Sequence, residues 1–130
     1  MKPGGHVYLV DVERHGSRAR PPEAGPDDLA ERYGRFQAAR GNDLSVGLRL
    51  GELLTGAGLE LVDHRGWYEI SAVSPGSRTP SWAARDAIVE AGFATREDID
   101  RWAAAWSRMD QREHRTLFLA LFSATGRRTA

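Results

Sequence analysis

Two segments near the ends of the chain read as β-strands that are apolar on both faces. Residues 6–12 have the sequence HVYLVDV, and residues 116–124 have the sequence TLFLALFSA. Neither segment alternates regularly between apolar and polar residues, and such strands are typical of sheets that helices cover on both sides. The chain is therefore expected to build an α/β layer in which these two strands have helices and further strands around them.

A third strand and four helices are predicted between these two segments. The third strand covers residues 59–64. Residues 16–26 and 65–80 are predicted to be irregular; the first of these stretches holds three prolines and little apolar content. The predicted helices run over residues 27–40, from Asp43 or Ser45 to Gly58, from Ser81 to Gly92, and onward from a capping box at Thr95 and Asp98.

Composition narrows the classes of function that fit this chain. With 130 residues it has the length of one domain, and it has no cysteine for a disulfide, a thiolate zinc site or a nucleophile. Its four histidines lack H-x-x-x-H spacing, so no metal site is expected. Acidic and basic residues balance and the arginines are scattered, so no nucleic-acid partner is expected. The longest apolar run, residues 117–122, is too short to span a membrane, which leaves a soluble, cytoplasmic protein as the expectation.

Three segments resemble the second half of class I S-adenosylmethionine-dependent methyltransferases, in the branch that acts on small molecules. KPGGHVYLVDVE, residues 2–13, is similar to the turn and fifth strand of that family. GNDLSVGLRLGELLTGAGLELVDHRG, residues 41–66, resembles the helix that follows and the sixth strand. TLFLALFSATGRR, residues 116–128, resembles the seventh strand, which is antiparallel. The segments come in the family's order and extend over nearly the whole chain.

This resemblance implies a fold and part of a function. The fold is the C-terminal part of a Rossmann-like methyltransferase sheet with strands in the order five, seven, six, flanked by helices. The implied activity is transfer of a methyl group from S-adenosylmethionine, the cofactor of the intact enzyme, to a small-molecule acceptor. The family's Gly-rich cofactor loop does not occur in this sequence. The cofactor-binding half is therefore expected to be absent from this chain.

Three polar residues follow one another at the carboxyl end of the first predicted strand, the edge where α/β sheets bind ligands. His15 and Asp11 are the candidate catalytic residues, because histidine titrates near neutral pH and a carboxylate can act as a base. Glu13 is a candidate substrate contact. The alternatives are ordinary acids at the entry to a loop and a solvated loop histidine, and the sequence leaves them open.

The first predicted helix offers further candidates for binding the methyl acceptor. In the family, the helix after the fifth strand often lines the acceptor pocket, which implies this role for Tyr33 and Phe36. Asn42 matches the position before the family's next helix and could bond to the acceptor. Plain helix packing for the two aromatic residues, and a helix cap for Asn42, fit the sequence as well.

The long connection between the last two predicted strands, residues 65–115, could form an inserted cap over the substrate. Trp67, Tyr68 and Trp82 fall within it and suit a flat or apolar acceptor. The alternative is a small satellite core built from the same aromatic residues. The identity of the acceptor and of the methylated atom does not follow from the sequence.

A second hypothesis is non-enzymatic: a stand-alone module, derived from the same fold, that binds a ligand or a partner. It shares one expectation with the first hypothesis. Strand 6–12 lacks the neighbour that the family places beside it, so its edge should be open to another chain. Pairing there is expected either with a second copy or with an N-terminal half.

Overall fold

The computed structural model describes every residue from Met1 to Ala130 and consists of two compact units. Each unit is assembled from segments that are distant in the sequence. The prediction that residues 65–115 form a substrate cap stays a prediction. Unit 1 comprises Met1–Arg18, Leu44–Ile70 and Phe118–Ala130, and unit 2 comprises Ala19–Asp43 and Ser71–Leu117.

Three antiparallel strands form the only sheet: β1 (His6–Arg20), β2 (Glu60–Ala72) and β3 (Thr116–Arg127). Their order in the sheet is β1-β3-β2, so the last strand in sequence is the central one. The predicted α/β class and the predicted order of the strands are both confirmed. As predicted, β1 is an edge strand.

Five helices accompany the sheet. Two of them, α1 and α5, span 16 and 15 residues, whereas the other three have seven residues or fewer. A 3-10 turn, Val46–Arg49, leads directly into the second helix. The helices are α1 (Ala24–Ala39), α2 (Leu50–Gly56), α3 (Pro80–Ala83), α4 (Arg85–Glu90) and α5 (Arg96–Asp110).

Local sequence signals account for several boundaries of these elements. Gly4 has a φ angle of +79° and the Gly5 N–H donates to the Lys2 carbonyl at 2.9 Å, as in a type II turn with Pro3 and Gly4 at its centre. The predicted capping box of α5 is also present. The Asp98 N–H donates to Thr95 Oγ1 at 3.2 Å, and the Thr95 N–H donates to Asp98 Oδ2 at 2.8 Å.

Longer-range pairing extends the strands beyond their predicted ends. Residues 16–20 belong to β1 and residues 65–72 belong to β2. The prediction that residues 16–26 and 65–80 are irregular is therefore wrong in part. Pairing with β3 holds them: the Val73 N–H donates to the Arg115 carbonyl at 3.0 Å, in the continuation of β2 and β3. The prediction of one helix over 81–92 is also wrong, because the chain interrupts the helix at Ala84, where ψ is 2°.

One face of the sheet in unit 1 is covered by α2. Val7 and Leu9 of β1 and Phe122 of β3 pack against Leu50 and Leu54, which are both 4% exposed. These contacts place the core of unit 1 between the sheet and α2. We call this side of the sheet the covered face.

The opposite side of the sheet, the open face, carries apolar side chains without such a cover. Because successive residues of a strand point to opposite faces, Tyr8, Val10 and Val12 of β1 and Leu119 and Leu121 of β3 lie there. The three residues of β1 are 64%, 49% and 39% exposed, and both leucines are half-buried. The prediction that strand 6–12 is buried on both faces is therefore wrong, because helices cover only one of them.

Helices build the core of unit 2. Leu29 of α1, Ile88 of α4 and Trp102 of α5 are at most 1% exposed and contact one another in one cluster. Trp102 Nε1 donates to Asp28 Oδ2 at 3.0 Å, which gives the buried indole N–H an acceptor. The helix α1 begins at Ala24, earlier than predicted, and packs along α5.

The contact between α1 and α5 depends on a small residue at position 25. A Cβ atom on Gly25 would lie 2.5 Å from the Ala105 Cβ, which is fixed to the backbone of α5. We expect Gly25→Ala to lower the free energy of unfolding by about 1–3 kcal/mol, since the two helices must move apart. Urea unfolding followed by circular dichroism measures this change.

Gly56 of α2 is the matched control, because a Cβ atom there meets no atom within 4 Å. Gly56→Ala should raise stability by up to about 1 kcal/mol through the better helix propensity of alanine. If both variants lose stability equally, close packing at Gly25 is not the cause.

Candidate functional site

The predicted catalytic residues lie along β1 in unit 1 and differ sharply in their surroundings. Asp11 and His15 are exposed, whereas Glu13, between them, is only 6% exposed. The one hydrogen bond of the Asp11 carboxylate within the chain comes from the N–H of the next residue, Val12, at 2.7 Å. Asp11 and His15 are therefore the two members of this group whose side chains reach solvent.

The Glu13 carboxylate is fully engaged inside the chain. It accepts hydrogen bonds from the His15 N–H at 2.9 Å, the Gly16 N–H at 2.6 Å and the Ser45 hydroxyl at 2.8 Å. Burial alone would raise the pKa of Glu13, but these three bonds together with the nearby His15 lower it below its ordinary value of 4.5. Glu13 is thus an ionised structural acid that fixes the backbone of His15.

These bonds accompany a bulge in β1. Before the bulge, Val7 and Leu9 lie on the covered face; after it, Gly16 does, because a Cβ atom there would lie 2.8 Å from the Ala120 Cβ. The covered face thus changes from odd to even residue numbers, which requires one extra residue in β1. Ser17 completes the arrangement, since its hydroxyl donates to the Glu13 carbonyl at 2.9 Å and accepts from the Ala120 N–H at 3.1 Å.

Sequence reasoning missed Ser45 and Ser17 as parts of this group. Ser45 was predicted as a helix cap, and it does precede the 3-10 turn, but its hydroxyl bonds to Glu13 instead of capping the turn. The two residues are 32 positions apart in the sequence. Only the long-range fold brings them together, so no local pattern could have indicated the contact.

Trp67 and Tyr68 lie within β2 and not in an irregular connection as predicted. Trp67 is 39% exposed and Tyr68 is 64% exposed. The Tyr68 ring packs edge-on against Phe118, with 5.8 Å between the ring centroids, on the covered face. Neighbours in a strand point to opposite faces, so the two aromatic side chains do not share a surface.

The remaining predicted binding residues belong to unit 2. Tyr33 and Trp82 pack against the core cluster that contains Phe36, which is 6% exposed. Asn42 lies at the end of α1, where its side-chain amide donates to Gln37 Oε1 at 2.6 Å. The structure brings Tyr33, Phe36 and Trp82 into one apolar cluster; whether any of them contacts an acceptor stays a prediction.

A charged cluster in unit 2 has no counterpart in the sequence analysis. Arg78 binds the Asp110 carboxylate through both terminal nitrogens, at 3.0 and 2.8 Å, and its guanidinium lies 4.9 Å from the Trp106 ring centroid. The Gly76 N–H and the buried Arg115 side chain add two further donors to Asp110. The hydrogen bonds from Arg78, then that from Gly76, hold the pKa of Asp110 far below its ordinary value. The cluster ties the segment before α3 to the end of α5.

A surface depression is formed by residues other than those of the clusters described above. An open depression of about 480 Å³ is lined by Met1, residues 57–59 and residues 128–130, and it contains none of the predicted site residues. No group of three or more histidine, aspartate and glutamate side chains is arranged to hold a metal ion. No helix is both long enough and apolar enough to cross a membrane.

Comparisons with known proteins supply no family assignment for this chain. A comparison with protein-family models found no match to the chain, and a search of curated proteins found none either.

The lowered pKa of Glu13 predicts that the stability of the fold depends on pH. Because its pKa is lowered on folding, its stabilising contribution is present above the unfolded value of 4.5 and is lost as the pH falls below it. Glu13→Gln should lower the free energy of unfolding at neutral pH by about 1–3 kcal/mol. The amide keeps only one of the two carboxylate oxygens as an acceptor, so at least one buried donor around position 13 loses its partner. Urea unfolding at neutral and acidic pH measures both effects, and the wild-type and variant stabilities should converge in acid.

Asp11→Asn is the matched control on the same strand, because the Asp11 carboxylate is exposed and contacts only the adjacent residue. Its stability should stay within about 0.5 kcal/mol of the wild type. An equal pH dependence of both variants would contradict the role assigned to Glu13.

Proposed function

We propose that this chain is the C-terminal, substrate-side portion of a class I S-adenosylmethionine-dependent methyltransferase that acts on a small molecule. One observation carries the proposal. The segment that resembles the seventh strand, β3, lies between the segments that resemble the fifth and sixth strands, β1 and β2, and runs antiparallel to them. The resemblance rests on sequence alone and implies this strand order independently of any contact between the three segments.

In this proposal the chain holds the methyl acceptor and the cofactor half lies outside it. Methyl transfer by direct displacement depends mainly on the proximity and orientation of the two reactants, so the task of this chain is to position the acceptor. His15 is the candidate base for an acceptor that must lose a proton, since its side chain is exposed while Glu13 holds its backbone. Asp11 is the second exposed candidate on the same strand.

The residues of this chain do not fit a complete site for S-adenosylmethionine. Nucleotide-binding α/β folds use an acid beyond a strand to bind ribose hydroxyls. Glu13, the buried acid of β1, already accepts three hydrogen bonds from within the chain, which leaves the exposed Asp11 as the one acid of this strand that is open to a ligand. The sequence also has no Gly-rich loop that opens a helix toward a phosphate or sulfonium group. We therefore assign no step of the reaction to a cofactor held by this chain.

The non-enzymatic alternative also has an observation in its favour. The open face presents Tyr8, Val10 and Val12 to solvent, and exposed apolar patches commonly mark interaction sites. A stand-alone module that binds a partner would need no cofactor and no catalytic base. The two hypotheses differ in whether addition of a cofactor-binding half produces methyl transfer.

Calorimetry tests whether this chain alone binds S-adenosylmethionine. The chain alone should bind S-adenosylmethionine more weakly than a Kd of about 1 µM. When the first half of a small-molecule class I methyltransferase is added as a separate chain, the melting temperature should rise and methyl transfer should become measurable. Tight binding by the chain alone would contradict the placement of the cofactor site, and a mixture without any complex would favour the stand-alone module.

A catalytic role for His15 is tested in the same mixture. With an acceptor that must lose a proton, His15→Gln should lower kcat by about 10²–10⁴-fold, the usual contribution of a general base. His114→Asn is the control, because the His114 side chain is 94% exposed and lies in unit 2. Equal rates for both variants would remove His15 from the reaction.

A further inference from the structure

Two arginines of unit 2 share a single acid. Arg78 and Arg115 both donate to Asp110 Oδ1, and neither guanidinium has another carboxylate as a partner. The lowered pKa of Asp110 keeps its carboxylate ionised. Two guanidinium groups and one carboxylate therefore leave this cluster with one positive charge in excess.

Asp110 does not serve the two arginines equally. Arg78 donates to Oδ1 at 3.0 Å and to Oδ2 at 2.8 Å, and the Gly76 N–H donates to Oδ1 at 3.0 Å. The bond from Arg115 Nη1 to Oδ1 is the longest of the four, at 3.5 Å. Since a carboxylate oxygen offers about two lone-pair sites and Oδ1 has three donors, Arg115 is the poorly paired member of the cluster.

Arg115 is also the more deeply buried of the two arginines. Its side chain is 4% exposed, compared with 25% for Arg78. The long bond from Nη1 is the one hydrogen bond of the Arg115 side chain within the chain. Burying a charged group is costly unless it is paired and its donors have acceptors. The Nε and Nη2 donors of Arg115 have no acceptor within the chain.

Trp106 supplies a second, independent donor of the same kind. The residue is 4% exposed, and its Nε1 is the only buried side-chain nitrogen or oxygen without a hydrogen-bond partner. A buried indole N–H usually has an acceptor. Because no nitrogen of Arg115 is in that category, its unpaired Nε and Nη2 retain a small contact with solvent.

The unpaired indole belongs to the same cluster as the two arginines. The Arg78 guanidinium lies 4.9 Å from the centroid of the Trp106 ring. Trp106 and Asp110 are four residues apart on α5 and so lie on the same side of that helix. The unpaired groups around this ion pair are thus all donors, and an anion with acceptor oxygens is the ligand chemistry that complements them.

The arrangement of the Arg115 donors favours a carboxylate among the anions. With Nη1 bonded to Asp110, the remaining Nε and Nη2 groups form one edge of the guanidinium, and their N–H bonds are parallel. Such an edge pairs with both oxygens of a carboxylate. A carboxylate also balances the single excess charge, whereas a phosphate monoester carries about two negative charges at neutral pH.

We propose that Arg115 binds the carboxylate group of a small organic acid. The edge formed by Nε and Nη2 donates to both carboxylate oxygens, and the Trp106 N–H is a further donor of the site. A small acid is specified because a side chain that is 4% exposed admits only a slender ligand. The inference goes beyond the proposed function and is independent of it, since it uses no residue of the candidate methyltransferase site.

Sodium acetate is the probe, added to the full chain. In NMR spectra of the nitrogen-bound protons, the Trp106 indole and Arg115 Nε signals should shift along one saturable curve, with a Kd of about 10 mM or lower. Urea unfolding should show a linked effect. At an acetate concentration ten times Kd, the equilibrium constant for unfolding should fall about tenfold. Sodium chloride at the same ionic strength should produce neither change.

Two variants remove the proposed donors separately. Arg115→Lys keeps the charge but loses the edge, and Trp106→Phe keeps an aromatic ring but loses the N–H. Each should weaken acetate binding about fivefold or more. Arg108→Lys is the matched control on α5, because the Arg108 side chain is 63% exposed. Its acetate affinity should stay within about twofold of the wild type. If Arg115→Lys does not fold, Trp106→Phe and the wild-type titration decide.

Saturable shifts at Trp106 and Arg115 that the two variants weaken support the proposal. Equal effects of acetate and chloride show charge screening only and overturn it. Tighter binding of inorganic phosphate than of acetate overturns the assignment to a carboxylate. An equal loss of affinity in Arg108→Lys places the binding elsewhere and also overturns the proposal. No readout involves S-adenosylmethionine, so failure of the methyltransferase proposal would leave these results unchanged.

Discussion

The central position of β3 is the constraint on which the structure of unit 1 depends. Since β3 pairs with both other strands, its covered-face residue Phe122 lies between two segments that are distant in the sequence. A Cβ atom on Gly47 would lie 2.9 Å from the Phe122 ring, and one on Gly66 would lie 2.7 Å from it. The glycines on either side are therefore required by the ring, and the ring holds β2 and the 3-10 turn in place against the same strand.

Arginine contributes to the packing of unit 2 in a way that its scattered distribution in the sequence does not reveal. The guanidinium groups of Arg78 and Arg85 lie 4.9 and 4.4 Å from the ring centroids of Trp106 and Trp82. A planar guanidinium stacks on an aromatic face while it donates hydrogen bonds at its rim, which lysine does not do equally well. This chemistry suits a chain in which seventeen of the eighteen basic residues are arginine.

The parts of the fold that could be predicted from the sequence are those with local causes or with a family pattern. The turn at Gly4 and the capping box at Thr95 follow from residues within four positions of one another, and the strand order followed from the resemblance. The extension of β1 to Arg20, and the contact between Glu13 and Ser45, could not be predicted because both depend on partners far away in the sequence. The exposure of the site residues could not be predicted either, because burial depends on which face of the sheet a helix covers.

The bulge at Glu13 divides β1 into two halves of opposite phase. Before it, odd positions face the core of unit 1; after it, even positions do. A deletion of one residue between positions 13 and 16 would remove the extra residue and leave every later side chain of the strand on the face that it already occupies, whereas a deletion within residues 7–10 would turn the side chains on one side of it to the opposite face. The same deletion placed in the loop after β1 would change only the length of a connection. The one place where this strand can lose a residue without turning its side chains is therefore the place where a single carboxylate accepts three hydrogen bonds.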